Sequence, residues 1–179
     1  MCHRILRATL LLCLAVSLSG QTGEWKKYKN VEGNLAVLFP SDPQDSINKN
    51  DSGIQSHNLM VQTQAGVYLV VYTSMVGEQP VNDATFQVFK TAAFAELPKC
   101  VADAETAANP AIQGFIGHSY RLNCEMPNTK IAVEGNLYWG KHYAYAVLVM
   151  YAIPGARPDG AAKFMESFSV IDEKKIPGQ

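Results

Sequence analysis

Apolar residues recur along this chain at two spacings, marking out a series of extended runs interrupted by one clear amphipathic helix. Leu35–Phe39 (LAVLF) predicts a compact strand, halted by Pro40 and Pro43 because proline cannot donate to a β-ladder. A short polar–aromatic opening with Trp25 and Tyr28 precedes it. Residues 41–53, rich in Ser, Asp, Asn and Pro, follow it as a loop or irregular edge. Residues 54–64 and 67–76 are extended runs joined at Ala65–Gly66, a hairpin signal. In the second run Val67, Leu69, Val71 and Met75 point one way, and Tyr68, Val70, Tyr72 and Val76 the other. A strand apolar on both faces is covered on both sides.

Asn82 or Asp83 then caps a predicted helix that runs to about Leu97. Phe86, Phe89, Ala93 and Leu97 share one stripe, and Pro98 closes it. Residues 100–107 and 115–124 read as paired strands about a turn at 109–114. A turn centred near residue 112 makes partner numbers sum to about 224, which sets Cys100 opposite Cys124. Next, Ile131, Val133, Leu137 and Trp139 alternate with Lys130, Glu134 and Asn136, the pattern of a half-exposed strand. Tyr143–Ile153 (YAYAVLVMYAI) is a continuous apolar run and the predicted central strand. Pro154, Gly155 and Pro158 break it. A short helix at about 159–168 places Phe164, Met165 and Phe168 on one face, before a last extended piece at 169–171 and a frayed tail at 173–179. The expected fold class is α+β, an antiparallel meander-like sheet of about six or seven strands in a single domain over residues 21–172.

Residues 1–20 change the picture by adding a compartment. Arg4 and Arg7, then 11 uncharged residues (ATLLLCLAVSL), then Ser17, Ser19 and Gly20 have the layout of a removable secretory signal. The apolar stretch falls short of the ~20 residues a spanning helix needs. Cys13 lacks the small residues expected ahead of a lipid-modified cysteine. Loss of Arg4 and Arg7 with the leader leaves 13 basic against 16 acidic residues, a net charge of −3. That balance disfavours nucleic acid and anionic membrane surfaces as partners, and no stable membrane insertion is expected after signal removal. Two of the four cysteines also leave, so Cys100 and Cys124 remain as an even pair in an oxidising compartment, where a disulfide is expected. Cross-strand β-carbons lie about 4.5–5.5 Å apart, within reach of a bridge after modest adjustment.

Several scattered motifs together resemble the Mog1/PsbP-like superfamily. They are Phe39-Pro40 with Pro43 following, the hairpin at Gly66, the central helix, and Gly114-Phe115-Ile116-Gly117-His118-Ser119-Tyr120-Arg121. Leu137-Tyr138 and the closing Lys163-Phe164-Met165-Glu166-Ser167-Phe168 complete the set. The resemblance covers roughly residues 25–172, and its sharpest part is the terminal Phe-x-x-Ser-Phe. It implies a sheet between helical layers, an α/β/α sandwich, and proteins that act without catalysis. The short leader departs from the long transit peptide of photosynthetic members, and export is incompatible with a nuclear partner. The resemblance therefore implies an exported bacterial protein.

The search for chemistry assigns no catalytic, cofactor or metal residues. His57, His118 and His142 show no metal-ligand spacing. No Gly-x-Ser-x-Gly presents a nucleophile, and His118 and Ser119, adjacent on a strand, point to opposite faces. Asp103 and Glu105 read as solvated carboxylates. Asn50-Asp51-Ser52 is a glycosylation sequon of consequence only in a eukaryotic source. Aromatic residues gather around one hairpin tip, so Tyr138, Trp139, Lys141, His142 and Tyr143 form the candidate interaction surface, with packing under a helix as the alternative. The expected function is an exported, non-catalytic binding or accessory module of the cell envelope acting on a protein partner. The alternatives are a hydrolase-like enzyme with a site assembled from distant residues, and a carrier of a small apolar ligand.

Overall fold

A computed structural model of the chain describes residues 24–49, 55–95, 97 and 99–171. The predicted leader at 1–20, the sequon at 50–52 and the tail at 173–179 lie outside the described residues. Strands β1 (Lys26–Asn30) and β2 (Leu35–Phe39) form a hairpin, followed by β3 (Gln44–Lys49), β4 (Gln55–Gln62) and β5 (Val67–Ser74). Helix α1 (Asp83–Ala95) leads into β6 (Cys100–Ala107), β7 (Ile116–Met126), β8 (Thr129–Trp139) and β9 (Tyr143–Ile153). Helix α2 (Ala161–Glu166) and β10 (Ser169–Val170) complete the order.

These strands build two antiparallel sheets. The smaller has the order β1-β2-β10 and the larger β3-β4-β5-β9-β8-β7-β6. The larger sheet is two meanders meeting at β5 and β9, and α1 carries the chain from the middle of the sheet to its far edge. Tyr143–Ile153 sits between β5 and β8, pairing Tyr72 with Tyr145 and Tyr138 with Tyr145 across its two sides.

The expected α+β class, with one sheet between helical layers in an α/β/α sandwich, is corrected by this architecture, which is mostly β and built on two sheets. Among the described residues 53% lie in strands and 13% in helix. One face of the large sheet is covered by α1, but the other is covered by the small sheet together with the six residues of α2. The physical reason lies in the opening segment. Leu35, Ala36, Val37 and Phe39 are all buried, so β2 is lined by apolar contacts on both faces and is itself a covering layer. The polar segment at 26–30 pairs with it along its whole length. Residues 44–49, read as loop or irregular edge, pair with β4 as an exposed edge strand.

Side-chain alternation on β9 divides the core. Tyr143, Tyr145, Val147 and Val149 pack with Leu35, Val37, Phe39, Phe164 and Phe168 on the small-sheet side. Ala146, Leu148 and Met150 face α1, where Phe86, Phe89, Ala93, Phe94 and Leu97 pack down on Tyr120, Leu122, Val133 and Leu137. Helix α1 begins where the sequence predicts. Thr85 N donates to Asn82 Oδ1 at 3.0 Å and Asn82 N to Thr85 Oγ1 at 3.4 Å, a reciprocal cap that satisfies two otherwise orphaned donors. At the other end of the chain Ser167 Oγ donates to Phe164 O and accepts from Leu38 N at 2.8 Å, fastening α2 to β2. Gly117 is required by close approach, since a β-carbon there would lie 2.8 Å from the Tyr138 ring and 2.9 Å from Ala108.

Cys100 and Cys124 are direct cross-strand partners on β6 and β7 and are joined by a disulfide across 24 positions of sequence. A register shift between Ala102 and Ala104 follows, so the partner sum changes from 224 to 225 beyond it. Among the described residues no helix is long and apolar enough to cross a membrane. Closure of a loop of this length predicts that Cys100→Ala/Cys124→Ala lowers unfolding free energy by roughly 3 kcal/mol in urea titrations. Intact mass under non-reducing conditions should show the oxidised chain, and two alkylatable thiols in the unreduced protein would contradict the bridge.

Candidate functional site

The alternation on β7 and β8 carries polar side chains to the face opposite α1. Ser119 and Arg121 on β7 stand directly across from Asn136 and Glu134 on β8. With Ala104 and Thr106 of β6, the Asn109 loop, and Ala162, Met165 and Glu166 of α2, they line a solvent-open groove of about 260 Å³. A second, larger concavity of about 420 Å³ lies over the disulfide, among Lys99, Glu125 and Lys130. The first holds the buried polar chemistry.

Glu134 is 5% exposed and anchors the groove floor. Its carboxylate accepts from Tyr151 OH at 2.6 Å and Arg157 Nε at 2.7 Å, and meets Arg121 Nη2 at 3.0 Å. Burial alone would raise its pKa. The hydrogen bonds from Tyr151 and Arg157, with the charges of Arg157 and Arg121, outweigh burial and hold it below the usual carboxylate range. A carboxylate so occupied stays ionised at neutral pH and serves as an anchor, not as a proton donor. Asn136 is fixed beside it, hydrogen-bonded to Ser119 Oγ and donating Nδ2 to Asn109 O at 2.8 Å. Tyr138 OH donates to Pro110 O at 2.9 Å, which draws the 108–115 loop under the sheet.

A different cluster occupies the α1 side. Glu105 accepts from Lys90 Nζ at 2.8 Å and Tyr120 OH at 2.7 Å, and lies 3.0 Å from His118 Nδ1. The hydrogen bond from Lys90 is the main cause that lowers its pKa, against a partial opposing effect of burial. The Tyr120 hydroxyl moves the other way, raised by burial and by Glu105. The His118 ring stacks on Phe86 at 4.8 Å. Asp103 and Glu105, read as two solvated carboxylates, are therefore separated in role, with Glu105 engaged by three partners. Ser119 faces the opposite side of the sheet from His118, as adjacent strand positions must.

The predicted aromatic surface resolves into three environments. Tyr138 and Tyr143 are core residues of the small-sheet side, and Tyr143 OH reaches Glu32 O at 3.2 Å. Trp139 packs against Phe89 at 5.4 Å and donates Nε1 to Pro80 O at 2.9 Å, the packing under a helix that was the alternative. Lys141 is exposed and lies 3.5 Å from Glu78, which also faces His142 at 3.9 Å. Strand alternation explains this. Tyr138 and Tyr143 fall on one face of the hairpin and Trp139 on the other, so the five residues share no common surface.

Glu134, Arg157 and Tyr151 carried no signal in the linear pattern. Glu134 and Asn136 alternate with apolar residues as solvent-facing positions do, but here the second face is roofed by α2 and the 108–115 loop. The cross-strand pairing of Arg121 with Glu134 is implied once the turn between β7 and β8 is placed, and it is the one cue available.

No family model matches the chain, and no curated protein matches it. Among solved structures, a Pseudomonas aeruginosa protein described as being of unknown function is similar over 74% of this chain and 85% of its own, at 11% identity and a TM-score of 0.40. The Mog1/PsbP-like resemblance therefore rests on the sequence motifs quoted for it.

Replacing Glu134 by Gln removes the charge that two partly exposed guanidiniums share, and is expected to cost roughly 2–3 kcal/mol in chemical denaturation. Because the folded-state pKa of Glu134 is lowered, its stabilisation is complete above the ordinary carboxylate value of 4.5 and is lost as pH falls through the lower folded value. Stability of the Glu134→Gln protein should accordingly fall less steeply than wild type below pH 4.5. Parallel acid profiles would show that the carboxylate is not tuned by these partners.

Proposed function

We propose that the chain works outside the cytosol as a non-catalytic binding or accessory module of the cell envelope, and that it meets a protein partner at the groove beside α2. The leader at 1–20 and the Cys100–Cys124 bridge support the extracytoplasmic place, since such bridges persist in oxidising compartments. The observation that carries the binding reading is the Arg121–Glu134–Arg157 network beneath the groove. It holds one guanidinium, 51% exposed at its side chain, in a fixed orientation beside Ser119, Thr106 and Asn136. A planar donor fork preset in this way suits carboxylate and amide groups of a peptide. Capture of tagged protein from its native envelope under gentle cross-linking, followed by mass spectrometry, tests this. A partner retained by wild type should fall about tenfold with Arg121→Gln, the loss of one anchoring charge at a contact. Retention of nothing, or equal retention by the variant, argues against the groove.

A second reading, a hydrolase-like enzyme, is favoured by the pairing of His118 with Glu105 at 3.0 Å. A carboxylate on Nδ1 orients an imidazole so that Nε2 acts as base. Hydrolysis of ester or peptide substrates by the wild type, abolished in His118→Ala and weakened in Glu105→Gln, would support it. Turnover unaffected by His118→Ala would remove it.

A further inference from the structure

Strand β6 changes register where it passes the groove. From Cys100 to Ala102 its residues pair with β7 at a constant sum of 224, and from Ala104 to Ala107 at 225, so Asp103 is a bulged residue outside the register. One extra residue exchanges the two faces of everything that follows it. Had the first register continued, Asp103 would stand across from Arg121 and Glu105 across from Ser119, with both carboxylates on the groove face. Instead Ala104 pairs with Arg121 and Thr106 with Ser119, and these small side chains line the groove. Glu105 is turned to the α1 side, where Lys90, Tyr120 and His118 engage it.

We propose that the groove takes an acidic segment of a partner polypeptide, seating an Asp or Glu carboxylate on Arg121, and that the Asp103 bulge keeps the chain's own β6 carboxylates off that guanidinium. The inference rests on the groove reading above and names the chemistry of its occupant. Glu134 is a single carboxylate shared by Arg121 and Arg157, so the groove floor carries one positive charge in excess. Arg121 meets Glu134 through Nη2 and keeps its side chain 51% exposed. That contact uses part of a planar fork of five donors, and the remainder suits a second carboxylate. Glu134 and Asn136, 5% and 2% exposed, hold the floor in place before anything binds. Glu166, exposed on the α2 wall, is the opposing charge. One excess charge matches a monovalent carboxylate, whereas a phosphate would bring nearly two negative charges toward Glu166 and Glu134.

A polypeptide fits this place better than a small acid. The groove opens toward β6, whose residues 101–107 are exposed, so a chain segment can lie along it. Asn123, two residues on from Arg121, shares its face of β7 and leads into the concavity over the disulfide. There Lys99 and Lys130 stand against Glu125 alone, a second excess of one positive charge, beside the exposed Val101. A segment with an acid at each end of a short apolar stretch would meet both cationic places and cover the valine between them.

Random peptides displayed on phage and panned against the oxidised protein test this. Retained sequences should be enriched in Asp and Glu over the starting library. Synthetic copies of them should bind about tenfold more weakly to Ala104→Asp, which sets a carboxylate across from Arg121 as the bulge prevents. Ala104→Asn, equal in size and uncharged, should bind as wild type does, and both variants should keep the wild-type unfolding transition. Glu166→Gln, which removes the opposing charge, should tighten binding about twofold. Retained peptides without acidic enrichment that are nevertheless lost in Arg121→Gln would overturn the inference and leave the groove reading standing. Peptides indifferent to Arg121→Gln would remove the groove reading as well. Equal binding by Ala104→Asp and wild type, an empty selection, or inorganic phosphate binding as tightly as the peptides would each overturn the acidic segment as occupant.

Discussion

Strand Tyr143–Ile153 bears apolar side chains on both of its faces, and no arrangement leaves such a strand at an edge or against water. It must run through the middle of a sheet with a layer above and a layer below. The two layers differ because the two faces differ. Toward α1 the strand offers Ala144, Ala146, Leu148 and Met150, small and medium groups over which the Phe86 and Phe89 rings can settle. Toward the other side it offers Tyr143, Tyr145, Val147 and Val149. The two tyrosines bury their rings and carry hydroxyls that must find acceptors, and those acceptors are Glu32 O and Gly33 O in the β1–β2 turn. The small sheet is thus held by apolar contact and by hydrogen bonds at its turn.

A cover made from a hairpin, a six-residue helix and a loop does not seal a broad sheet as a long helix would. Polar groups persist under its two flanks. On one flank Glu134 and Asn136 are buried but satisfied, and a groove remains where α2 stops short of β6. On the other, His57 lies between Glu32 and Asp45, and its Nδ1 has no hydrogen-bond partner among the described residues. Both places sit on the same face of the large sheet and on opposite sides of the tightly packed centre around Phe39, Phe164 and Phe168. The centre is close-packed and apolar, and the flanks hold the buried polar groups.

The Phe-x-x-Ser-Phe run at the C-terminus has a physical basis in this arrangement. Phe164 and Phe168 are both fully packed, and Ser167 between them satisfies Leu38 N. β10 pairs with Leu35 and Ala36, which leaves Leu38 without a strand partner on that side. The motif therefore serves as a clasp between the end of the chain and β2. It is a packing device.

Local pattern determined what local forces decide. The apolar run at 143–153 named its own central place, the Phe86–Leu97 stripe and Asn82 cap named α1, and the turn near residue 112 set Cys100 against Cys124. The segment at 44–49 was legible only as a loop or an irregular edge and the strand at 26–30 not at all, because ladder hydrogen bonds form between backbones and leave no trace in side-chain periodicity. Burial of Glu134, His57 and Tyr138 was decided by tertiary structure alone. Alternation reports which side chains share a face, but whether that face meets water or another layer depends on segments distant in sequence. Here those segments are α2, the 108–115 loop and the β1–β2 hairpin, and their docking turned alternating polar positions into buried ones.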